Sequence, residues 1–171
     1  MTTTTRPDRG LWLMTMAYVV AMRGTCPRRK VGALLVRNGR PIAEGYVGSA
    51  PREPHCEDVG CLLDTDGHCQ RTIHAEVNAL AEAARRGAST GGATLISPAF
   101  PCPQCLKLLA SAGINQIIYN RKYRGEPQTT DPRYGISVSR QAPMAPDQLL
   151  EHYLRALEAP VAEPGDIYAP L

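Results

Sequence analysis

Leu11, Met14, Tyr18, Ala21 and Met22 recur at three- and four-residue spacing, and Gly24 follows them. That spacing predicts an amphipathic helix over residues 11–23 stopped by Gly24, with the polar, threonine-rich residues 1–9 frayed ahead of it. The period then changes. Residues 31–36 form a short, β-rich apolar run, Asn38-Gly39 is a strong two-residue turn signal, and residues 42–47 resume the apolar pattern, which together predict a β-hairpin. From 48 to 71 no period survives, and a stretch of that length without structure inside a compact domain needs a reason. Residues 73–86, IHAEVNALAEAARR, are rich in Ala, Leu and Glu and precede Gly87, so a second helix is expected there. A strand over 93–97 follows Gly91-Gly92, and a third helix over 103–112 opens on Pro103 and closes at Gly113. A fourth strand over 114–119, a short strand over 135–138 and a helix over 147–157 complete the pattern, and residues 159–171 read as a loosely attached tail. Strands alternating with helices from residue 90 onward imply parallel pairing, while the opening hairpin is antiparallel, so the sheet should be mixed.

Composition narrows the class. With 171 residues, 43% hydrophobic and 20% charged, the chain can bury one core and is too short for two ordinary domains, so residues 1–171 are read as one domain. No apolar run reaches the roughly 18 to 20 residues that span a bilayer, and the opening MTTTTRPDRG lacks the basic start and apolar centre of a secretory signal. The expectation is a cytoplasmic protein with no membrane partner. A formal charge of +3 is too mild for a chain that lives on nucleic acid. Locally, Arg28, Arg29 and Lys30 form one basic knot and Arg121, Lys122 and Arg124 another, either solvated edges or holders of a small anion.

Six cysteines without a secretory signal are thiolates for metal or catalysis before they are disulfides. Cys102 and Cys105 make a CxxC, Cys56, Cys61 and Cys69 share a loop with His55 and His68, and Cys26 stands upstream. His74-Ala75-Glu76 opens one predicted helix and Pro101-Cys102-Pro103-Gln104-Cys105 the next. One imidazole and two thiols can hold a tetrahedral Zn²⁺ and leave a fourth position for water, the arrangement of a catalytic site. Helix N-termini also favour the thiolate. Glu76 is not needed as a ligand, which frees it to move protons between water and a substrate nitrogen. HxE followed by PCxxC is the zinc deaminase signature. A structural Cys/His zinc site gives Glu76 no role, and a thioredoxin-like redox pair leaves both His74 and Glu76 unexplained.

Over about 110 residues, from the first helix to Arg124, the chain resembles the deoxycytidylate (dCMP) deaminase family of the cytidine deaminase superfamily. The resemblance is carried by Thr25-Cys26-Pro27-Arg28, Val31-Gly32-Ala33, Gly45-Tyr46-Val47-Gly48, His55-Cys56-Glu57-Asp58 and the block from Gly67 through His68-Cys69-Gln70-Arg71-Thr72-Ile73-His74 to Glu76. It continues through Phe100-Pro101-Cys102-Pro103-Gln104-Cys105, Ala112-Gly113-Ile114 and Tyr123-Arg124. It implies an α/β fold, a three-layer α/β/α sandwich around a mixed five-stranded sheet. It also implies hydrolytic deamination of a cytosine nucleotide, dCMP to dUMP and ammonia, with Glu76 as the catalytic acid and base and His74, Cys102 and Cys105 as zinc ligands. Some relatives hold a second, structural zinc at positions matching Cys26 and Cys56; Cys61 and Cys69 would complete that set here, with His68 as the alternate. Arg28, Tyr123 and Arg124 match positions associated with holding the nucleotide, and Val47 and Ala75 fall at substrate-facing positions. Family members are commonly homo-oligomers, so a small-molecule substrate and copies of the chain itself are the partners implied.

The chain departs from the family in two places beside the expected pocket. Val47 stands where the family's GYNG segment carries a substrate-binding Asn, and a valine makes no such hydrogen bond. Ile96, Ser97, Pro98 and Ala99 replace the usual YVTH or YVTL. Neither change touches the zinc ligands or Glu76, so deamination of another small base, nucleoside or modified nucleotide stands as the rival reading. A tRNA adenosine deaminase shares HAE and PCxxC, but the second Cys/His cluster and the mild charge argue against it. A zinc-stabilised binding module has no use for Glu76.

Overall fold

The computed structural model describes residues 7–122 and 134–141. From Asp8 onward these belong to one compact unit; the other unit, Met1–Pro7 with Met144–Leu171, lies outside the described residues apart from Pro7. The predicted helix over 147–157 and the tail therefore fall outside them, as do Tyr123 and Arg124.

Helix α1 spans Arg9–Ala21 and begins earlier than its apolar spacing suggests, because Asp8 caps it by accepting the Leu11 N–H at 3.0 Å. Residues 8 and 9 are thus structured rather than frayed. Strands β1 (Gly32–Arg37) and β2 (Arg40–Tyr46) form the expected antiparallel hairpin, with Asn38 and Gly39 both at positive φ (52° and 70°) in the two-residue turn. β3 (Gly48–Ser49), the single-turn helix α2 (Cys56–Val59) and β4 (Thr72–Ile73) organise the long excursion that sequence left blank. β3 pairs antiparallel with β4, and this removes Ile73 from the next helix, α3, which runs Ala75–Arg85 instead of starting at 73. β5 (Thr94–Ala99), α4 (Pro103–Ser111), β6 (Gln116–Arg121) and β7 (Ser137–Arg140) follow.

The sheet order is β2-β1-β5-β6-β7, antiparallel through β1 and parallel from β5 to β7, a mixed five-stranded sheet as expected. Pro98 lies inside its central strand, β5. The register between β5 and β6 pairs Ser97 and Ala99 but passes over Pro98, which has no N–H to give the ladder.

Alternation along β1 divides the core in two. Leu34 and Val36 join Leu13, Met14, Ala17 and Ile96 under α1, whereas Ala33 and Leu35 join Ala75, Ala79, Ala83, Leu95, Leu106, Leu109 and Ile117 under α3 and α4. One helix covers one face and two cover the other, so the three layers are α1, the sheet, and α3 with α4. Small residues let α3 sit close: Ala75, Ala79 and Ala83 are essentially fully buried, and a Cβ on Gly45 of β2 would fall 2.3 Å from the Ala79 nitrogen. This tight seat fixes the first turn of α3, and with it His74 and Glu76.

Candidate metal centre and active site

His74 is the N-cap of α3 and leaves directly from β4, so its backbone is held by a strand on one side and a helix on the other. Cys102 is the N-cap of α4, with Pro103 at the first turn. Its Sγ accepts the Cys105 N–H at 3.5 Å, so the residue that caps the helix also presents a thiol at its N-terminus. Because both helices lie on one face of the sheet, the three side chains converge. His74 Nδ1 is 3.5 Å from Cys102 Sγ and 3.4 Å from Cys105 Sγ, and the three ligand atoms lie within 4.8 Å of one another. Tetrahedral zinc with Zn–N near 2.0–2.1 Å and Zn–S near 2.3 Å requires an N···S edge of about 3.6 Å, so this donor set fits the ion without rearrangement.

The electrostatics suit a cation. The neighbouring Cys105 thiol, followed by His74, lowers Cys102 from the usual thiol range and so favours its thiolate, while the Cys102 sulfur pushes Cys105 up. The hydrogen bond to Cys102 raises His74, with the Arg29 charge acting the other way. A divalent ion bound between the sulfurs would displace thiol protons.

Glu76, in the first turn of α3, is 4% exposed, and its Oε2 lies 3.7 Å from Cys105 Sγ. Burial raises its carboxyl above the usual range, opposed by the nearby His74. It borders a cavity of about 70 Å³ whose apolar walls are Val31, Val47, Ala75, Ala99 and Phe100, with His74, Cys102 and Arg29 completing the lining. Phe100 is fixed by an edge-on contact with Tyr119, ring centroids 4.9 Å apart. The result is a small, mostly apolar chamber bordered by one carboxylate and by His74 and Cys102 of the metal-binding trio.

The family model for the cytidine and deoxycytidylate deaminase zinc-binding region matches residues 8–121. The chain belongs to that family. It is 44% identical over 129 residues to ComE operon protein 2 of Bacillus subtilis, covering 74% of this chain and 68% of that one. It is 34% identical to the deoxycytidylate deaminase of Saccharomyces cerevisiae over 72% of this chain, which spans 41% of the yeast protein. Among solved structures, the dCMP deaminase of cyanophage S-TIM5 in complex with dCMP and dUMP superposes with a TM-score of 0.68 at 31% identity, covering 80% of this chain and 98% of that one.

In this deaminase-family chain a second thiol group lies on the excursion between β3 and β4. Cys56, Cys61 and Cys69 lie within 4.8 Å of one another, with 3.6 Å between the Cys56 and Cys69 sulfurs. Burial and the neighbouring sulfurs push Cys56 up to about 12. Burial also resists ionisation of Cys69, but hydrogen bonds from the Arg71 and Thr72 backbone outweigh it and bring that thiol down to about 6. Cys26 stands outside the trio's mutual 4.8 Å; it is buried after α1 and lines a cleft with Cys69. His68 also stands outside, its side chain 69% exposed with Nδ1 3.8 Å from Asp64.

Arg28 donates from Nη1 to the Gly67 carbonyl at 2.9 Å, joining the loop after α1 to the tip of the excursion. Of the basic knot Arg28, Arg29 and Lys30, Arg29 lines both the inner cavity and the adjoining cleft. Nothing in its spacing separates it from Arg28 and Lys30; the selection is made by the turn into β1. No helix among the described residues is long and apolar enough to cross a membrane.

Proposed function

We propose that this chain is a zinc-dependent hydrolytic deaminase of a cytosine nucleotide, converting dCMP and water to dUMP and ammonia. The observation that carries this reading is Glu76: a buried carboxylate that is no metal ligand, held beside the His74, Cys102 and Cys105 trio at the wall of a ring-sized apolar chamber. Similarity to deoxycytidylate deaminases supports the nucleotide as substrate.

When bound, zinc at a three-ligand site acidifies a water in its open position toward about 7. The chain's own residues do the rest. Glu76 Oε2 takes the proton that this water loses and delivers it to N3 of the ring; oxygen bonds to C4, the C4–N4 bond breaks, and a second proton passing through Glu76 lets the nitrogen leave as ammonia. Val47, Ala99 and Phe100 exclude bulk water and hold the ring flat, which lowers the cost of orienting it. Cys56, Cys61 and Cys69, completed by Cys26, hold a second zinc that ties the excursion to the loop after α1. The protein works as a cytoplasmic homo-oligomer on a small molecule, without nucleic acid.

Val47 favours one rival reading. It is 6% exposed and lines both the cavity and the cleft, so the substrate meets an alkyl surface there rather than a hydrogen-bonding amide. A panel of zinc-loaded reactions decides the matter by ammonia release from dCMP, CMP, deoxycytidine, cytosine, 5-methyl-dCMP, adenosine and guanine. Preference for dCMP supports the proposal; activity confined to another amine replaces its substrate. Two zinc ions per chain by elemental analysis, falling to one in Cys56→Ser/Cys69→Ser, would support the second metal, and one ion in both would refute it.

A further inference from the structure

α3 meets β2 in two ways. At Gly45 the backbones touch, since an added Cβ would lie 2.3 Å from the Ala79 nitrogen and 2.8 Å from the Asn78 carbonyl carbon. Such contact is a stop: it resists approach but neither sliding nor separation. Side-chain hydrogen bonds, which have a preferred length and direction, supply the tethers. At the far end of α3, Arg86 Nη2 reaches Glu44 Oε1 at 2.8 Å in an exposed pair. At the end that carries His74 and Glu76, Asn78 Nδ2 donates to the Tyr46 carbonyl at 2.7 Å. Propensity alone would place Ala here, because Asn is among the weaker formers of helix interiors and the rest of AEVNALAEAAR is rich in Ala. A local rule broken inside a helix points to a gain elsewhere, and the Tyr46 carbonyl is that gain.

Tyr46 is the last residue of β2, and the next residue, Val47, is a wall of the inner chamber. Val47 has its own backbone anchors: its N–H donates to the Val31 carbonyl and its carbonyl accepts the Thr25 N–H, both at 3.0 Å. Those bonds tie the wall to the segment between α1 and β1. The Asn78 amide ties it to α3, and the Asn78 N–H in turn donates to the His74 carbonyl at 3.0 Å, one turn beyond the candidate zinc ligand. We propose that Asn78 is a positioning residue whose side chain holds the Val47 wall at a fixed distance from Glu76, so that a ring resting on Val47 presents its reacting atoms to that carboxylate. Asn78 does not itself line the chamber and acts through Tyr46 and Val47. The assignment rests on the deaminase reading and deepens it.

Asn78→Ala is the informative variant, because it removes the donor while installing a better helix former. Zinc-loaded wild type, Asn78→Ala, Val47→Ala and the double variant are compared by ammonia release from dCMP. Asn78→Ala should lower kcat/KM about tenfold at unchanged zinc content, mostly in kcat, since a ring bound out of line reacts slowly. In the Val47→Ala background, where the wall no longer reaches the ring, the same substitution should cost about twofold or less, a coupling that independent sites do not show. A merely structural Asn78 would instead lower the urea midpoint and give the same loss in both backgrounds. Tyr18→Phe, which deletes a hydrogen bond between α1 and β6, is the control and should leave kcat/KM unchanged. Hydrogen exchange at the Val47 amide reads the tether without turnover and should quicken about tenfold in Asn78→Ala. Unchanged kcat/KM or unchanged exchange in Asn78→Ala, or equal losses in the two backgrounds, overturns the assignment. No ammonia from the wild type, with exchange at Val47 still quickened in Asn78→Ala, would overturn deamination and leave the tether standing.

Discussion

Gly45 offers a direct way to move the candidate active site without touching it. On β2, a methyl group at this position would lie 2.3 Å from the Ala79 nitrogen, 2.4 Å from the Ala75 carbonyl oxygen and 2.8 Å from the Asn78 carbonyl carbon. All three are backbone atoms of α3, so no side-chain rotation relieves the clash. Ordinary contact begins near 3.4 Å, and Gly45→Ala must therefore displace the helix by about 1 Å, an overpacking that costs about 1–3 kcal/mol. The same displacement carries His74 and Glu76 at the start of α3 away from Cys102 and Cys105 on α4. Gly32 supplies the control. Its added methyl would lie 2.2 Å from the Ala17 carbonyl oxygen and 2.6 Å from the Ala21 nitrogen, on the opposite face, against α1. Urea unfolding of the metal-free proteins should show comparable destabilisation in both variants, whereas competition with a zinc chelator should show at least about tenfold weaker zinc retention in Gly45→Ala only. Gly91→Ala, whose methyl would come no closer than 3.8 Å to Ser89 Oγ, should change neither. Unaltered stability in Gly45→Ala, or zinc affinity lost equally in Gly32→Ala, would refute the claim that α3's seat on β2 sets the metal geometry.

Three further outcomes follow from contacts elsewhere. Tyr18→Phe removes the hydroxyl that donates to the buried Asn120 Oδ1 at 3.0 Å, linking α1 to β6, and should cost about 1 kcal/mol in urea denaturation. Asp64→Ala deletes the acceptor of the Asp66 and His68 N–H groups and of Gln70 Nε2 at 2.6 Å, so hydrogen exchange at the His68 amide should quicken about tenfold. Glu82, held by Arg85 and Arg86, has its carboxyl lowered from 4.5 to about 2. Its contribution to stability is therefore complete above pH 4.5 and lost as pH falls toward 2, and Glu82→Gln should flatten that part of the urea midpoint profile.

How far the sequence carries depends on whether a feature is local. The Asn38-Gly39 turn, the α4 start at Pro103 and the helix spacing of Leu11, Met14 and Tyr18 are decided within a few residues, and the structure has all three where expected. The HxE and PCxxC motifs were legible because each sits at a helix N-terminus, and only the sheet was needed to bring them together. Non-local pairing was invisible: β3 and β4 meet across more than twenty residues, and their pairing moves the start of α3 from Ile73 to Ala75. The convergence of the thiol cluster was legible in part. Cys56, Cys61 and Cys69 converge, but Cys26 and His68 stand outside the group, because an aperiodic chain gives no face on which to place them. Which of Arg28, Arg29 and Lys30 lines both cavities was not legible for a similar reason, since three consecutive basic residues differ only through the backbone path that leads into β1.

The claim at the centre of this account is that Glu76 and the His74, Cys102 and Cys105 trio replace a ring amine with an oxygen from water. It is tested most directly by incubating the zinc-loaded protein with dCMP in ¹⁸O-labelled water and reading the product by mass spectrometry. The expected result is dUMP carrying one solvent oxygen, one ammonia released per turnover, and no product from Glu76→Gln that still holds zinc. Unchanged dCMP in the wild-type reaction, or dUMP formed equally well by Glu76→Gln, would contradict it.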